Sequence, residues 1–388
     1  MTALRILHST RYAYGAPAAF SQHLLRLTPP SNDEQRVLSA EVTVSPRPQE
    51  RAGFVDAFGN RLETATVTEP HETLEITLRC VVERLEREEP MLGASTPWEQ
   101  VARIAAGPTG LHAALYAYPT PLTDADAEIE AYALRSFEPG RPVLEAAREL
   151  CSRIHDDFKY LPGATNAETP ANASFAAREG VCQDFAHVML AAMRALRLPC
   201  AYVSGYLRTL PPPGKARLVG ADATHAWASV WDPSVGWVQF DPTNDMQPGA
   251  DHVMSASGRD YADCAPVTGL VVGSGGQMLS VSVDVASLEE LEEARDAALI
   301  PAPRPGGPAL EAEEAAAPPP LAPAPLTPEP LASSPVPDPA PAADPSPPTN
   351  EPGTGAAARA AQASLLRPQA PDAAAEPGEA GDSSDDPS

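Results

Sequence analysis

The chain has 388 residues, with 52 Asp and Glu against 27 Lys and Arg and a formal net charge of −25. That balance supplies no basic face for nucleic acid or an anionic membrane, and no window approaches the ~18 consecutive apolar residues of a membrane span. Five cysteines (Cys80, Cys151, Cys182, Cys200, Cys264), an odd number with no CxxC pair, argue against a disulfide framework or a zinc ribbon.

The opening stretch, MTALRILHSTRYAYG, is polar and alternating. It lacks the apolar core and small-residue cleavage site of a secretory signal, so a cytoplasmic protein is expected. Period-two patterning continues through the first hundred residues. It is clearest where Leu74, Ile76, Leu78, Cys80 and Val82 alternate with Glu75, Thr77, Arg79, Val81 and Glu83, as in a strand with one buried face. Cys80 falls on the apolar side and reads as core. Leu4–Tyr14, Leu24–Leu27 and Val37–Val44 are weaker strands, and DAFGNR at 56–61 is a turn. A sandwich-like β domain over residues 1–90 follows, then a connector at 91–122.

Helical signals dominate next. Thr123 suits an N-cap, with Asp126 three residues on. Pro142 suits a first helical position, and Val143, Ala147, Leu150, Ile154 and Phe158 trace an apolar stripe, with Cys151 at its border. His155, Asp156 and Asp157 are adjacent on that helix and point apart, which disfavours a shared metal. A further helix starts at or just before Cys182 and ends before Pro199, with Phe185, Val188, Met189, Met193 and Leu196 as its apolar face. Tyr202–Arg208 is a strand, Pro211–Gly214 a loop, and 225–244 a pair of aromatic-rich strands. Residues 123–286 form the core, 287–300 a short helix. The 88 residues from Pro301 hold 23 of the 46 prolines, no Phe, Tyr, Trp or Cys, and a net charge of −10. Such a segment buries too little apolar surface to offset its ordering entropy, so 301–388 is read as a disordered acidic Pro/Ala-rich tail whose PxxP spacings are those of a solvated spacer.

The chemistry centres on GVCQDFAH, residues 180–187. A thiol at a helix N-terminus meets the positive dipole end and unpaired N–H groups, which favour thiolate. Gly180 allows close approach of the chain. His225, Trp227, Ser229 and Trp231 share one strand face. If the hairpin closes around Asp232–Gly236 with Trp231 opposite Trp237, Asp241 becomes the diagonal neighbour of His225, roughly 7–8 Å away. A carboxylate there accepts the Nδ1 proton and leaves Nε2 to deprotonate a thiol. A slip of one residue would send Asp241 to the other face. Asp222 and Asp232 compete, but belong to a loop and a turn. A Cys182–His187 metal pair is poorly aligned at five residues' spacing, and no calcium-loop pattern is present. No cofactor or metal is expected.

Cys182, His225 and Asp241, spaced 43 and 16 residues apart, do not match papain or caspase spacing. The order does resemble the transglutaminase-like superfamily. The segments GVCQDFAH, PCAYVSGYL, THAW, GWVQFDPTN and GRDYADCAPVTG resemble its bacterial transglutaminase-like family. HSTRYAYGAPA, HLLRLTPP and DAFGNRLETATV resemble that family's β-rich N-terminal domain. The resemblance runs from about Leu4 to Val285. It implies an α+β fold with a papain-like core, Cys182 as nucleophile, His225 as base and Asp241 as orienting carboxylate. The implied activity is acyl transfer or hydrolysis on a protein or peptide amide through a thioester, with a primary amine as one acceptor. Cys264 stands where an aliphatic residue is expected, and Ala228 where a larger one is usual. The upstream tryptophan of animal transglutaminases has no counterpart, Tyr160 being the nearest aromatic. The Cys182 backbone N–H is the expected oxyanion donor. The alternative is a non-catalytic scaffold on the same fold.

Overall fold

The structure, a computed structural model, describes residues 2–209 and 224–292. The Pro211–Gly214 loop, Asp222 and the 301–388 tail lie outside the described residues. Six strands come first: β1 (Thr2–Ala18), β2 (Phe20–Leu25), β3 (Gln35–Ser45), β4 (Glu50–Val55), β5 (Arg61–Val67) and β6 (His71–Arg84). The expected alternation is seen in β6, where Leu74, Ile76, Leu78, Cys80 and Val82 are buried. The DAFGNR turn joins β4 to β5.

Seven α-helices and six strands follow among the described residues: α1 (Trp98–Ala105), α2 (Leu111–Ala114), α3 (Ala127–Leu134), α4 (Val143–Asp157), β7 (Lys159–Tyr160), α5 (Ala171–Ala177), β8 (Glu179–Gly180), α6 (Cys182–Ala195), β9 (Cys200–Leu207), β10 (Thr224–Asp232), β11 (Gly236–Phe240), β12 (His252–Gly258) and α7 (Tyr261–Cys264). The cap of α3 is Asp126, whose Oδ1 accepts from the N–H groups of Glu128 and Ile129 at 3.0 Å, and not Thr123. Thr123 is fully buried, and its Oγ1 accepts from the Arg194 guanidinium at 2.6 Å. Pro142 precedes the first helical residue of α4 by one position. The face expected of α6 is buried, but so is everything else from Asp184 to Arg194. This helix is the axis of the core, flanked by helices on one side and by the sheet β11-β10-β9-β12 on the other.

The final strands, β13 (Val267–Val272) and β14 (Gln277–Ser287), leave this core. The sequence reading groups them with it, but β14 pairs with β1 and β13 pairs with β2, giving sheets β14-β1-β6-β3 and β13-β2-β5-β4. Nothing in local periodicity distinguishes which sheet a strand joins. Helical backbone resumes at Leu288 and reaches Glu292, the last described residue.

Polar side chains seat the sandwich on the core. Gln35 pairs with Met254 of β12 as a strand would, its Nε2 donating to the carbonyl at 2.8 Å and its Oε1 accepting from the N–H at 2.9 Å. Asn60 does the same with Ser257, at 2.8 and 2.7 Å. Buried amides satisfied on both ends contribute about 1 kcal/mol per bond and forfeit more if one partner is lost. Behind β9, His8 meets the Tyr206 hydroxyl through Nδ1 (3.1 Å) and Thr10 Oγ1 through Nε2 (3.0 Å). Burial lowers the His8 pKa to about 4, so the ring is neutral at pH 7.

Candidate active site

Cys182 is the first residue of α6 because its neighbours lock the turn before it. Val181 is extended, and its N–H donates to Asp184 Oδ2 at 2.7 Å; the Thr165 hydroxyl donates to the same oxygen at 2.6 Å. Asp184 thus reaches back over the helix start as the acid of a capping box does. A Cβ on Gly180 would lie 2.5 Å from that carboxylate oxygen, so only glycine fits. At a helix start the amides of Cys182 and Gln183 have no carbonyl within the helix to bond.

His225 is the second residue of β10, and its ring and the Cys182 sulphur line one cavity. The hairpin has the expected register, with Trp231 opposite Trp237 and the last ladder pair at Ala228 and Phe240. Asp241 comes just past that ladder, in an isolated bridge with Met246. Its Oδ2 lies 2.7 Å from His225 Nε2. The ring is therefore turned the other way from the sequence reading: the distal nitrogen meets the acid, leaving Nδ1 for the sulphur. The physical reason is reach. Beyond the end of β11 the 241–246 turn carries the carboxylate outward to the far edge of the imidazole.

Asp241 is fully buried and fully occupied. Oδ1 accepts from the N–H groups of Thr243 (3.0 Å) and Asn244 (3.2 Å); Oδ2 accepts from the Asn244 side chain (2.7 Å) and from His252 Nε2 (3.2 Å) as well as from His225. Burial alone would raise its pKa, but the hydrogen bonds from His225, His252 and Asn244 outweigh it and hold the carboxyl well below the usual range. The opposite contest occurs at His225, where burial would lower the pKa and hydrogen bonding to Asp241 and Cys182 raises it well above the imidazole value. The pair is thus held as carboxylate and imidazolium.

His252 is a member of this cluster that sequence reasoning missed. It is buried on β12, its Nδ1 accepts from the Gly249 N–H at 3.4 Å, and its ring packs edge-on to Trp227 at 5.4 Å. With Nδ1 accepting, Nε2 carries the proton that Asp241 receives. The one available signal, a histidine in a period-two stretch just after the DPTN turn, is weak. His225, Asp241 and His252 also place one ligand atom each within 4.8 Å of one another. Two ligands on one zinc ion stand about 3.0–3.5 Å apart, given bonds of about 2.0–2.2 Å at tetrahedral angles. The 2.7 Å His225–Asp241 separation fits a shared proton better. Cys182 and His187 form no such set among the described residues. His187 is buried, accepts the Tyr261 N–H at 3.2 Å, and has a pKa lowered to about 3, chiefly by burial. His155 is bonded to the Thr243 carbonyl and Asp157 to the Tyr132 hydroxyl.

The sulphur opens onto a cleft of about 370 Å³ between core and sandwich. Tyr160, held beside Gly180 by the short β7–β8 pairing, stands at its mouth. Burial raises its pKa, with the neighbouring Cys182 adding to the shift. Of the five free cysteines, only Cys182 is not fully buried.

Residues 4–83 match the bacterial transglutaminase-like N-terminal region, and residues 130–242 match the transglutaminase-like superfamily. An uncharacterized protein of Mycobacterium tuberculosis is 41% identical over 300 residues, covering 74% of this chain and 93% of the relative. The chain belongs to the bacterial transglutaminase-like family. An uncharacterized Mycobacterium leprae protein is 32% identical over 291 residues, covering 74% of this chain and 100% of the relative. A Pseudomonas aeruginosa protein-glutamine gamma-glutamyltransferase is 33% identical over 124 residues, 30% of this chain and 18% of that protein. The fold is shared with a Cytophaga hutchinsonii structure provisionally called a cysteine protease, with a TM-score of 0.59 and 23% identity over 74% of this chain and 91% of that one. Membership of this superfamily supports cysteine-dependent chemistry on amide bonds in general. No described helix is long and apolar enough to cross a membrane.

Proposed function

We propose that the protein is a cysteine acyltransferase or amidase in which Cys182 is the nucleophile, His225 the acid–base group and Asp241 its orienting partner. The observation that supports this reading is the 2.7 Å contact of His225 Nε2 with the buried Asp241 carboxylate, on an imidazole that lines the same cavity as the Cys182 sulphur. The sulphur, with its proton held on His225, attacks as thiolate at the carbonyl carbon of a glutamine side chain or peptide bond, and the oxyanion is received by the Cys182 N–H. The C–N bond breaks as the amine takes the proton from His225, leaving a thioester. A primary amine or water then surrenders a proton to His225 and attacks the thioester, releasing amide or acid and restoring the thiol. General acid–base assistance of this kind is worth roughly 10²–10⁴ in rate. Five free thiols favour a reducing compartment such as the cytoplasm as the place of action.

A glutamine-containing peptide, incubated with and without a primary amine and read by mass spectrometry, tests the proposal. Acid formation marks hydrolysis and amine incorporation marks transfer. Absence of both, together with absence of a covalent adduct at Cys182, would remove the reading and leave the non-catalytic scaffold. Alkylation at mildly acidic pH separates the two independently, because a nucleophilic Cys182 should react there well ahead of the four buried thiols.

A further inference from the structure

The edge strands of the sandwich, taken among the described residues, are protected unequally. Edge strands expose unpaired backbone groups and are normally blunted by charge, proline or bulges. On one side, β3 carries Arg36, Glu41 and a bulge between Val37 and Ser39, and β4 carries Glu50 and Arg51. On the other side stand β13, VTGLVV, and the first part of β14, QMLSVSV. Neither stretch contains a charge or a proline. Met278, Leu279 and Val281 are nevertheless 74%, 55% and 50% exposed. A neutral, β-prone, exposed stretch on the outermost strand is a template for pairing with another chain.

The same strand walls the cleft. Leu279 lies opposite Tyr12 and Val281 opposite Thr10 on β1, and all four line the cavity that holds Cys182. Among the described residues no Asp, Glu, Lys or Arg lines that cavity, although the chain as a whole carries a charge of −25. His8, which also lines it, is neutral at pH 7, and, the Cys182 sulphur aside, the His225 ring is the one charged group of the described lining.

We infer that the outer edge of β14 is the docking strand for the acyl donor, which is an extended, uncharged stretch of polypeptide. It pairs with residues 277–282 by strand addition, rests an apolar side chain on Leu279 and Val281, and so carries its amide to Cys182. Leu279 and Val281 identify the occupant, because they belong both to the unprotected edge and to the cavity of the nucleophile. The inference rests on the cysteine-dependent reading above, but its test does not need turnover.

The test uses the full chain with Cys182→Ala, and fluorescein-labelled dephosphorylated β-casein, an unfolded polypeptide, as the probe in anisotropy titrations. Leu279→Glu and Ser280→Pro should each weaken binding tenfold or more. Leu38→Glu, on the opposite edge strand of the same sheet, should change it less than twofold. Circular dichroism spectra checks that each variant folds. Unchanged binding in Leu279→Glu would overturn the inference, as would no measurable binding by the Cys182→Ala protein. Sedimentation showing a dimer that Leu279→Glu dissolves would assign the edge to a second copy and overturn it too. Edge-dependent binding in a protein that forms no thioester would sink only the chemistry; a thioester with edge-independent binding would sink only the docking strand.

Discussion

The two ends of α6 hold polar groups under opposite conditions. At Arg194 the buried guanidinium donates to the carbonyls of Tyr116, Cys200 and Arg259 and to Thr123 Oγ1. Burial lowers its pKa to about 10, with the nearby Cys200 and Asp260 opposing that. All four of these partners are groups of the protein. At Cys182 the thiol meets His225 on one side and the open cleft on the other. A buried group whose partners are all internal holds the fold. One with a side left facing a cavity is available to an outside molecule.

Substitutions at the two ends should therefore differ in kind. The largest effect is expected for Cys182→Ala, with turnover reduced to background, roughly 10³-fold or more, and stability shifted by less than about 1 kcal/mol. Single-turnover mass spectrometry and urea titration read the two, and retention of a tenth of the activity would erase the contrast. Asp241→Asn should lower turnover by about 10²–10⁴. Arg194→Met should show the converse signature: about 3–5 kcal/mol of lost stability with turnover per folded molecule preserved. His252→Phe removes one of the donors to Asp241 Oδ2 and should cost about tenfold in turnover, comparable to the loss of a supporting hydrogen bond. His252→Gln, which keeps a donor, should recover part of it.

The pH dependence sharpens the same contrast. Asp241 has a depressed folded pKa, so its contribution is complete above the ordinary carboxylate value of 3.8 and is lost as pH falls through the folded value. His225 has a raised one, so its contribution is complete below 6.5 and is lost as pH rises through the folded value. The stability gap between the native protein and Asp241→Asn should be widest between about pH 4 and 6.5 and narrow on both sides. Urea titrations across that range check it; a gap that keeps growing above pH 7 would reverse the assigned directions.

Much of this was legible in the chain itself. The β6 alternation, the start of α6 at Cys182 and the Trp231–Trp237 register all follow from periodicity and turn chemistry. The orientation of the His225 ring did not, because it depends on where the 241–246 turn carries a carboxylate after the ladder ends. His252 escaped because its role arises from a strand on the far side of β9. Thr123 was misread as a cap because a helix-start signal and a buried hydroxyl for Arg194 look alike in sequence. The placement of β13 and β14 was hidden for the most general reason: long-range pairing leaves no local trace.

That placement governs the order in which the molecule can be completed. β14 lies against β1, so the ends of the described chain are neighbours and the whole transglutaminase-like core is an insertion between strands of one sandwich. During synthesis the sheet of β2 lacks its last strand until residue 272 has emerged, and the sheet of β1 until residue 287. Until then the flanks of β1 and β2 stand open, and pairings this distant in sequence form slowly. A fragment ending at residue 90 would keep those flanks exposed, and is expected to be the most aggregation-prone piece of the protein.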